Sequence, residues 1–224
     1  MNWSEVFVAL GETLLVVLLS TALAYLVGLP LGVLLHVTKR NGLKPLPVLN
    51  AILSFFVNVL RSIPCLIVVV LCLPMVRVFF GRGTGAWYTM LIPLFFSSFA
   101  YVARVVEQSL GEVDSGKIEA AKSLGASTWQ SIFYVLLPEA RVSLLTGLTV
   151  TAVNILGYTA FAYNIGAGGI IAYIWSYYTR NTGSFQESWE FWVLILLTVL
   201  LVQLIQEVGL RIVKKSDKRK AITQ

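Results

Sequence analysis

At 224 residues, 57 % apolar and only 12 % charged, with a mean hydropathy of +0.80, the chain is too oily for a soluble domain and reads as one polytopic membrane unit. Its formal charge of +6 would suit a nucleic-acid binder, but six of the 17 Lys and Arg crowd between Arg211 and Lys220, just after an apolar segment, where they act as a topology signal and an attraction for anionic lipid. A nucleic-acid partner is thereby excluded, and the single His36, without a Cys or carboxylate close by in sequence, argues against a metal centre and against histidine-based catalysis.

The first twelve residues, MNWSEVFVALGE, hold two glutamates and no Lys or Arg, unlike the basic start of a secretory signal. A first span is expected over 13–37. In it Gly28 and Gly32, four apart, let a neighbouring helix of the same subunit approach closely, and Pro30 introduces a bend. The loop from His36 to Pro47 carries Lys39, Arg40 and Lys44 with no acid, which places it in the cytoplasm. The second span, 48–76, is expected as one long helix that starts below the bilayer and enters it around Arg61. An arginine in lipid costs roughly 3 kcal/mol on insertion scales, so Arg61 belongs near the inner interface or against protein. Cys65 and Cys72 lie about 10 Å apart along such a helix, too far to bridge, and serve as small buried apolar residues. Arg77 to Gly85 makes an external turn. The third span, 86–103, carries Ser97, Ser98 and Tyr101, which face either a pathway or neighbouring helices. Arg104 and Glu107 can pair across one turn as the chain leaves the membrane.

The stretch 114–138, DSGKIEAAKSLGASTWQSIFYVLLP, is polar yet patterned as helix. Asp114 or Ser115 caps a short helix with Ile118 and Ala121 on one face, and Gly125 ends it in the left-handed conformation that glycine reaches without steric cost. Ser127 and Gln130 then form a capping box that starts a second helix. Gly111 to Lys117 matches seven positions of a phosphate-cradling loop, but Ile118 offers no hydroxyl for magnesium and no strand precedes it. The chain has no ATP site by this reading, and energy has to come from a partner.

Pro138 is expected to open the fourth span, 142–163. From Val142 to Thr179 there is no charge for 38 residues, too long for one crossing. The glycines 166, 168 and 169 make a turn, and Tyr173, Trp175, Tyr177 and Tyr178 mark a short helix at the headgroup level. The last span is 189–206. Five crossings put the termini on opposite sides, and the charge distribution puts the N-terminus outside and the C-terminus inside.

Glu119-Ala120-Ala121, Gly125, Leu137 and Pro138 stand at the spacings of the EAA loop and resemble that element in the permeases of binding-protein-dependent ABC importers, with Val135 where isoleucine is usual. Leu60-Arg61-Ser62-Ile63-Pro64 and Ile165-Gly166-Ala167-Gly168-Gly169 are similar to elements of the methionine-importer type, although Ile170-Ile171 replaces the usual Leu-Gly. The resemblance implies an all-α integral membrane fold of five transmembrane helices with a cytoplasmic helix-turn-helix coupling loop. It implies Glu119, Ala120, Ala121, Gly125, Leu137 and Pro138 as the elements that meet the ATPase. It also implies a second copy of the chain, two ATPase subunits that bind ATP and magnesium, and an extracytoplasmic substrate-binding protein, in a bacterial inner membrane. The chain itself carries no cofactor and no catalytic residue. The implied cargo is methionine, with polar amino acids, glycine betaine or a phosphonate as alternatives. Asn154, Tyr158 and Asn164 are pathway candidates, and interhelical hydrogen bonding accounts for them equally well. A membrane enzyme finds no support in any His pair, carboxylate pair or Cys-His arrangement, and a non-transporting scaffold would leave the EAA loop unexplained.

Overall fold

The computed structural model describes residues 2–180 and 189–217, all helix, turn and loop with no strand among them. Lys218, Arg219 and Lys220 of the basic tail lie outside the described residues. Helix α1 runs over Trp3–Val37, ten residues ahead of the expected start, because the Asn2 side-chain oxygen accepts the Ser4 N–H at 3.2 Å and supplies an N-cap that hydropathy does not register. After α1 the chain turns tightly. The Lys44 N–H bonds the Val37 carbonyl at 3.1 Å, and the Asn50 amide donates to the Leu35 carbonyl at 2.6 Å.

The expected continuous second span is two helices, α2 (Pro47–Ser62) and α3 (Cys65–Phe80). Pro64 is the cause. It lacks the N–H that would continue the ladder, it biases Ile63 away from helix, and it sits at φ −56°, ψ 138° ahead of α3. A 3₁₀ turn at Trp87–Met90 leads into α4 (Leu91–Gly111), followed by α5 (Ser115–Ser123) and α6 (Thr128–Gln130). A π-helical turn over Ser131–Leu136 joins α6 to α7 (Leu137–Tyr158) without a break. Pro138 therefore does not open a helix. The Leu137 N–H reaches back five residues to the Ile132 carbonyl, and this wide turn accommodates a proline next to it inside a helical run. A 3₁₀ segment, Thr159–Ile165, a glycine turn and α8 (Ile170–Arg180) follow. Helix α9 covers Trp189–Ser216, so Glu207, Arg211, Lys214 and Lys215, expected beyond the span, continue it. Four described stretches are long and apolar enough to cross a bilayer, and α2 with α3 makes a fifth if that pair is one broken span.

The chain forms two compact units. One comprises Met1–Leu23, Ile63–Ser98 and Thr151–Glu207, with a core of Val16, Val17, Val69, Leu94 and Ile155. The other comprises Ala24–Ser62, Phe99–Val150 and Val208–Gln224, and is packed around Ala24, Val102, Val106, Leu136 and Leu144. In the second unit Gly28 and Gly32 do what their spacing suggests. A Cβ on Gly28 would stand 2.8 Å from the Phe99 carbonyl, and one on Gly32 would stand 2.5 Å from that of Ala103, so α1 and α4 touch backbone to backbone within the subunit.

Candidate functional site

Helix α5 is built by local chemistry. The Asp114 carboxylate accepts the Gly116 N–H at 2.9 Å, which settles the cap on Asp114 instead of Ser115. At the other end Gly125 has φ +83°, its N–H bonds the Lys122 carbonyl at 2.9 Å, and the Ala126 N–H bonds that of Ala121 at 3.0 Å. These paired bonds are a Schellman closure, and its left-handed residue favours glycine. Both halves of the capping box are then present: Ser127 N–H to Gln130 Oε1 at 2.7 Å, and Gln130 N–H to Ser127 Oγ at 3.3 Å.

The two arms are joined by side chains. Lys117 Nζ lies 2.5 Å from Glu139 Oε2, while Ile118 and Leu137 pack against the buried cluster that contains Leu136. Of the residues singled out in sequence, Glu119, Ala120, Gly125 and Pro138 are exposed, and Ala121 and Leu137 are half-buried. The loop thus turns an outer surface of small residues and one carboxylate away from its own unit. Leu124, at the C-cap, is 89 % exposed, and Trp129 stacks on Phe133 at 5.7 Å with both rings exposed. Sequence reading passed over this apolar rim. The signal available was Leu124 and Trp129, two large apolar residues among the small and polar ones between Ala120 and Ser131.

In the same unit Glu107, 5 % exposed, stands between Arg104 at 2.5 Å and Lys39 at 3.0 Å. Arg104 also donates to Asn58 Oδ1 at 2.9 Å and to the Ser54 carbonyl at 3.2 Å. The expected Arg104–Glu107 pair is thus one edge of a network. Lys39 and Asn58 could not be paired with it from sequence, because nothing local links residues so far apart. A buried carboxylate held by two cations is how a charge survives burial.

The pathway candidates occupy the other unit. Asn154 is exposed on α7, Tyr158 is half-buried against the core one turn later, and Asn164 is exposed with its amide 3.5 Å from the Phe161 carbonyl. An exposed asparagine within an apolar helix is disfavoured against lipid and suits a protein neighbour or a water-filled path. This unit also holds a cleft of about 470 Å³ lined by Glu5, Glu12, Gly168, Tyr173 and Ser176. The described residues contain no group of three or more His, Cys, Asp or Glu arranged to hold a metal.

Residues 28–216 match the family model described as "Binding-protein-dependent transport system inner membrane component". The probable D-methionine transport system permease protein MetI of Vibrio cholerae serotype O1 is 34 % identical over 221 residues, which is 98 % of this chain and 95 % of that protein. The methionine import system permease protein MetP of Bacillus subtilis is 38 % identical over 184 residues, 81 % of each chain. Among solved structures, a chain of the MetNI methionine ABC transporter in an inward facing conformation superposes with a TM-score of 0.88 at 34 % identity, covering 97 % of this chain and 100 % of that one. An amino acid ABC transporter solved with histidines shares the fold at a TM-score of 0.68 and 22 % identity.

Proposed function

The chain belongs to the family of binding-protein-dependent transport system inner membrane components, and from that membership we propose that it is the permease of an ATP-driven importer whose cargo is methionine, in the D or L form. The observation that carries the cargo is near full-length similarity to permeases named for methionine, together with the Arg-Ser-Ile-Pro and Gly-Ala-Gly-Gly elements at Arg61 and Gly166. Another small solute remains the alternative that the experiment below addresses.

Two copies of the chain pair with two ATPase subunits, and a binding protein delivers cargo at the outer face. ATP and magnesium are held by the ATPase, which supplies the energy. The surface formed by Glu119 and Ala120 of α5 and by Gly125 just after it seats on it, because small side chains let a partner backbone approach while Glu119 orients the contact. Movement of that surface passes through the Lys117–Glu139 pair and Leu137 into α7, which continues from the loop without a break and carries Asn154. A displacement of the loop therefore becomes a displacement of a membrane helix, the two-state element that alternating access needs. Lys39, Arg40 and Lys44 in the first loop and the basic residues from Arg211 onward support a cytoplasmic position for both segments and the α5 loop, with the N-terminus outside.

Cells whose sole methionine route is this permease with its partners are expected to grow on limiting methionine. Failure to grow, alongside uptake of another amino acid by the same assembly, would reassign the cargo to that solute.

A further inference from the structure

We propose that Arg61 lines the solute path and receives the carboxylate of the passing amino acid, an inference that rests on the cargo class proposed above. Helix α2 presents three sectors at helical spacing. Leu53, Val57 and Leu60 face the core of their unit beside Leu35, Ala100 and Ala103. Val48, Ile52, Phe55 and Val59 form an exposed apolar sector suited to hydrocarbon. Ser54, Asn58 and Arg61 form a third, polar sector.

This polar sector continues onto α4, where Arg104 bonds Asn58 Oδ1 and the Ser54 carbonyl, and the Arg61 guanidinium lies 6.0 Å from the centroid of the Tyr101 ring. A guanidinium turned towards hydrocarbon is strongly disfavoured, so the exposed Asn58 and Arg61 side chains require water or a polar ligand. The charges nearby are not symmetric. Glu107 is committed to Arg104 and Lys39, while among the described residues Arg61 has the face of Tyr101 and no ion-paired carboxylate. Cation–π attraction to the face of Tyr101 holds the guanidinium on this side and leaves its donors open for two parallel hydrogen bonds to a carboxylate. One such contact at an exposed site guides a zwitterion without trapping it, as conduction through a path demands.

The test uses the importer assembled with its ATPase and binding protein, on a Cys65→Ala, Cys72→Ala background. Arg61→Cys is exposed to a membrane-impermeant anionic thiosulfonate, with Phe55→Cys from the apolar sector as control. Modification of Arg61→Cys is expected on the order of tenfold faster than the control, and methionine supplied during ATP turnover is expected to slow it. Equal rates overturn the proposal. A fast rate that methionine leaves unchanged overturns it as well, and gives Arg61 to a lipid phosphate or to an acid of the second copy. Uptake by Arg61→Gln is expected to fall about tenfold, as for loss of a charge-assisted bond, while Arg61→Lys, which keeps the charge but loses the planar fork, is expected to fall between Arg61→Gln and wild type. Uptake by Arg61→Gln within about twofold of wild type overturns the proposal. Absence of methionine uptake by wild type overturns the cargo reading instead, and the labelling ratio, read without cargo, still decides whether Arg61 faces water.

Discussion

The Glu12 carboxylate on α1 accepts the Gly169 N–H at 3.0 Å, while its neighbour Thr13 accepts the Ile170 N–H through Oγ1 at 2.8 Å, both across 157 residues of sequence. Two side chains of one helix thus cap the N-terminus of another, α8, and satisfy donors that have no partner within it. Glu12→Ala leaves the Gly169 N–H without this acceptor and is expected to cost about 1–3 kcal/mol, with Glu12→Gln milder because its amide oxygen still accepts. Gly168→Ala is expected to be the most damaging change here. It adds a Cβ 2.6 Å from the Glu12 carboxylate at a residue with φ +75°. Thermal unfolding in detergent orders the three variants, and Glu12→Ala melting with wild type would remove the capping role.

Glu107 is the second test. Glu107→Gln leaves Arg104 without its counter-charge in a half-buried site, and a loss of about 3–5 kcal/mol is expected. Lys39→Met removes the exposed arm of the network and is expected to cost no more than about 1 kcal/mol. The ranking is checked by the same melting experiment, and the reverse order would show that Lys39 and not Arg104 holds the carboxylate.

The capping box at Ser127 and Gln130 carries a third prediction. Ser127→Ala is expected to cost about 0.5–2 kcal/mol of helix stability. It is read as faster hydrogen exchange at the Gln130 amide, because that N–H loses the Ser127 hydroxyl. Gln130→Ala frees the Ser127 N–H, and the double variant is expected to lose less than the sum of the two, since each half of the box holds the other in place.

Gly125 separates two requirements. A Cβ at this position would meet no atom within 4 Å, yet φ is +83°, so within the chain the demand is purely conformational. Gly125→Asn, which tolerates this conformation, is expected to restore the turn that Gly125→Ala strains by roughly 1–2 kcal/mol. Against a docked ATPase both add bulk. Gly125→Asp, with a misplaced charge as well, is expected to leave the spans inserted while abolishing ATPase co-purification and uptake. Glu119→Ala is expected to be milder. Normal assembly and uptake by Gly125→Asp would rule out this loop as the docking element.

Orientation is the fifth prediction. Reporters fused after Lys215 are expected to signal the cytoplasm, and reporters within 77–85 the outside. A cytoplasmic signal from both would defeat the five-span arrangement.

Much of the fold was legible because its causes are local. Hydropathy marked the apolar helices, Asp114, Gly125, Ser127 and Gln130 announced the ends of the loop helices through hydrogen bonds that span no more than five residues, and Gly28-x3-Gly32 announced a close helix contact. Where sequence misread a boundary, a proline, a local cap such as Asn2 or a charge carried within a helix was responsible. Pro64 broke a helix read as continuous. Pro138, read as a helix start, lies inside one because a π turn precedes it. Helix α9 extends through Glu207 and Arg211 because charge leaves a helix intact even where it ends a hydrophobic window.

That this is a membrane protein with a polar helix-turn-helix loop follows from residue order, since burial preference and backbone capping act over a few residues. Tertiary structure alone decided that Glu107 is shared by Lys39 and Arg104, that Glu12 and Thr13 cap α8, and that Arg61 shares a polar sector with Tyr101. Most of these contacts join residues dozens to more than a hundred positions apart. A buried charge or an unsatisfied N–H states that a partner is required, and only the packing of helices selects which residue supplies it.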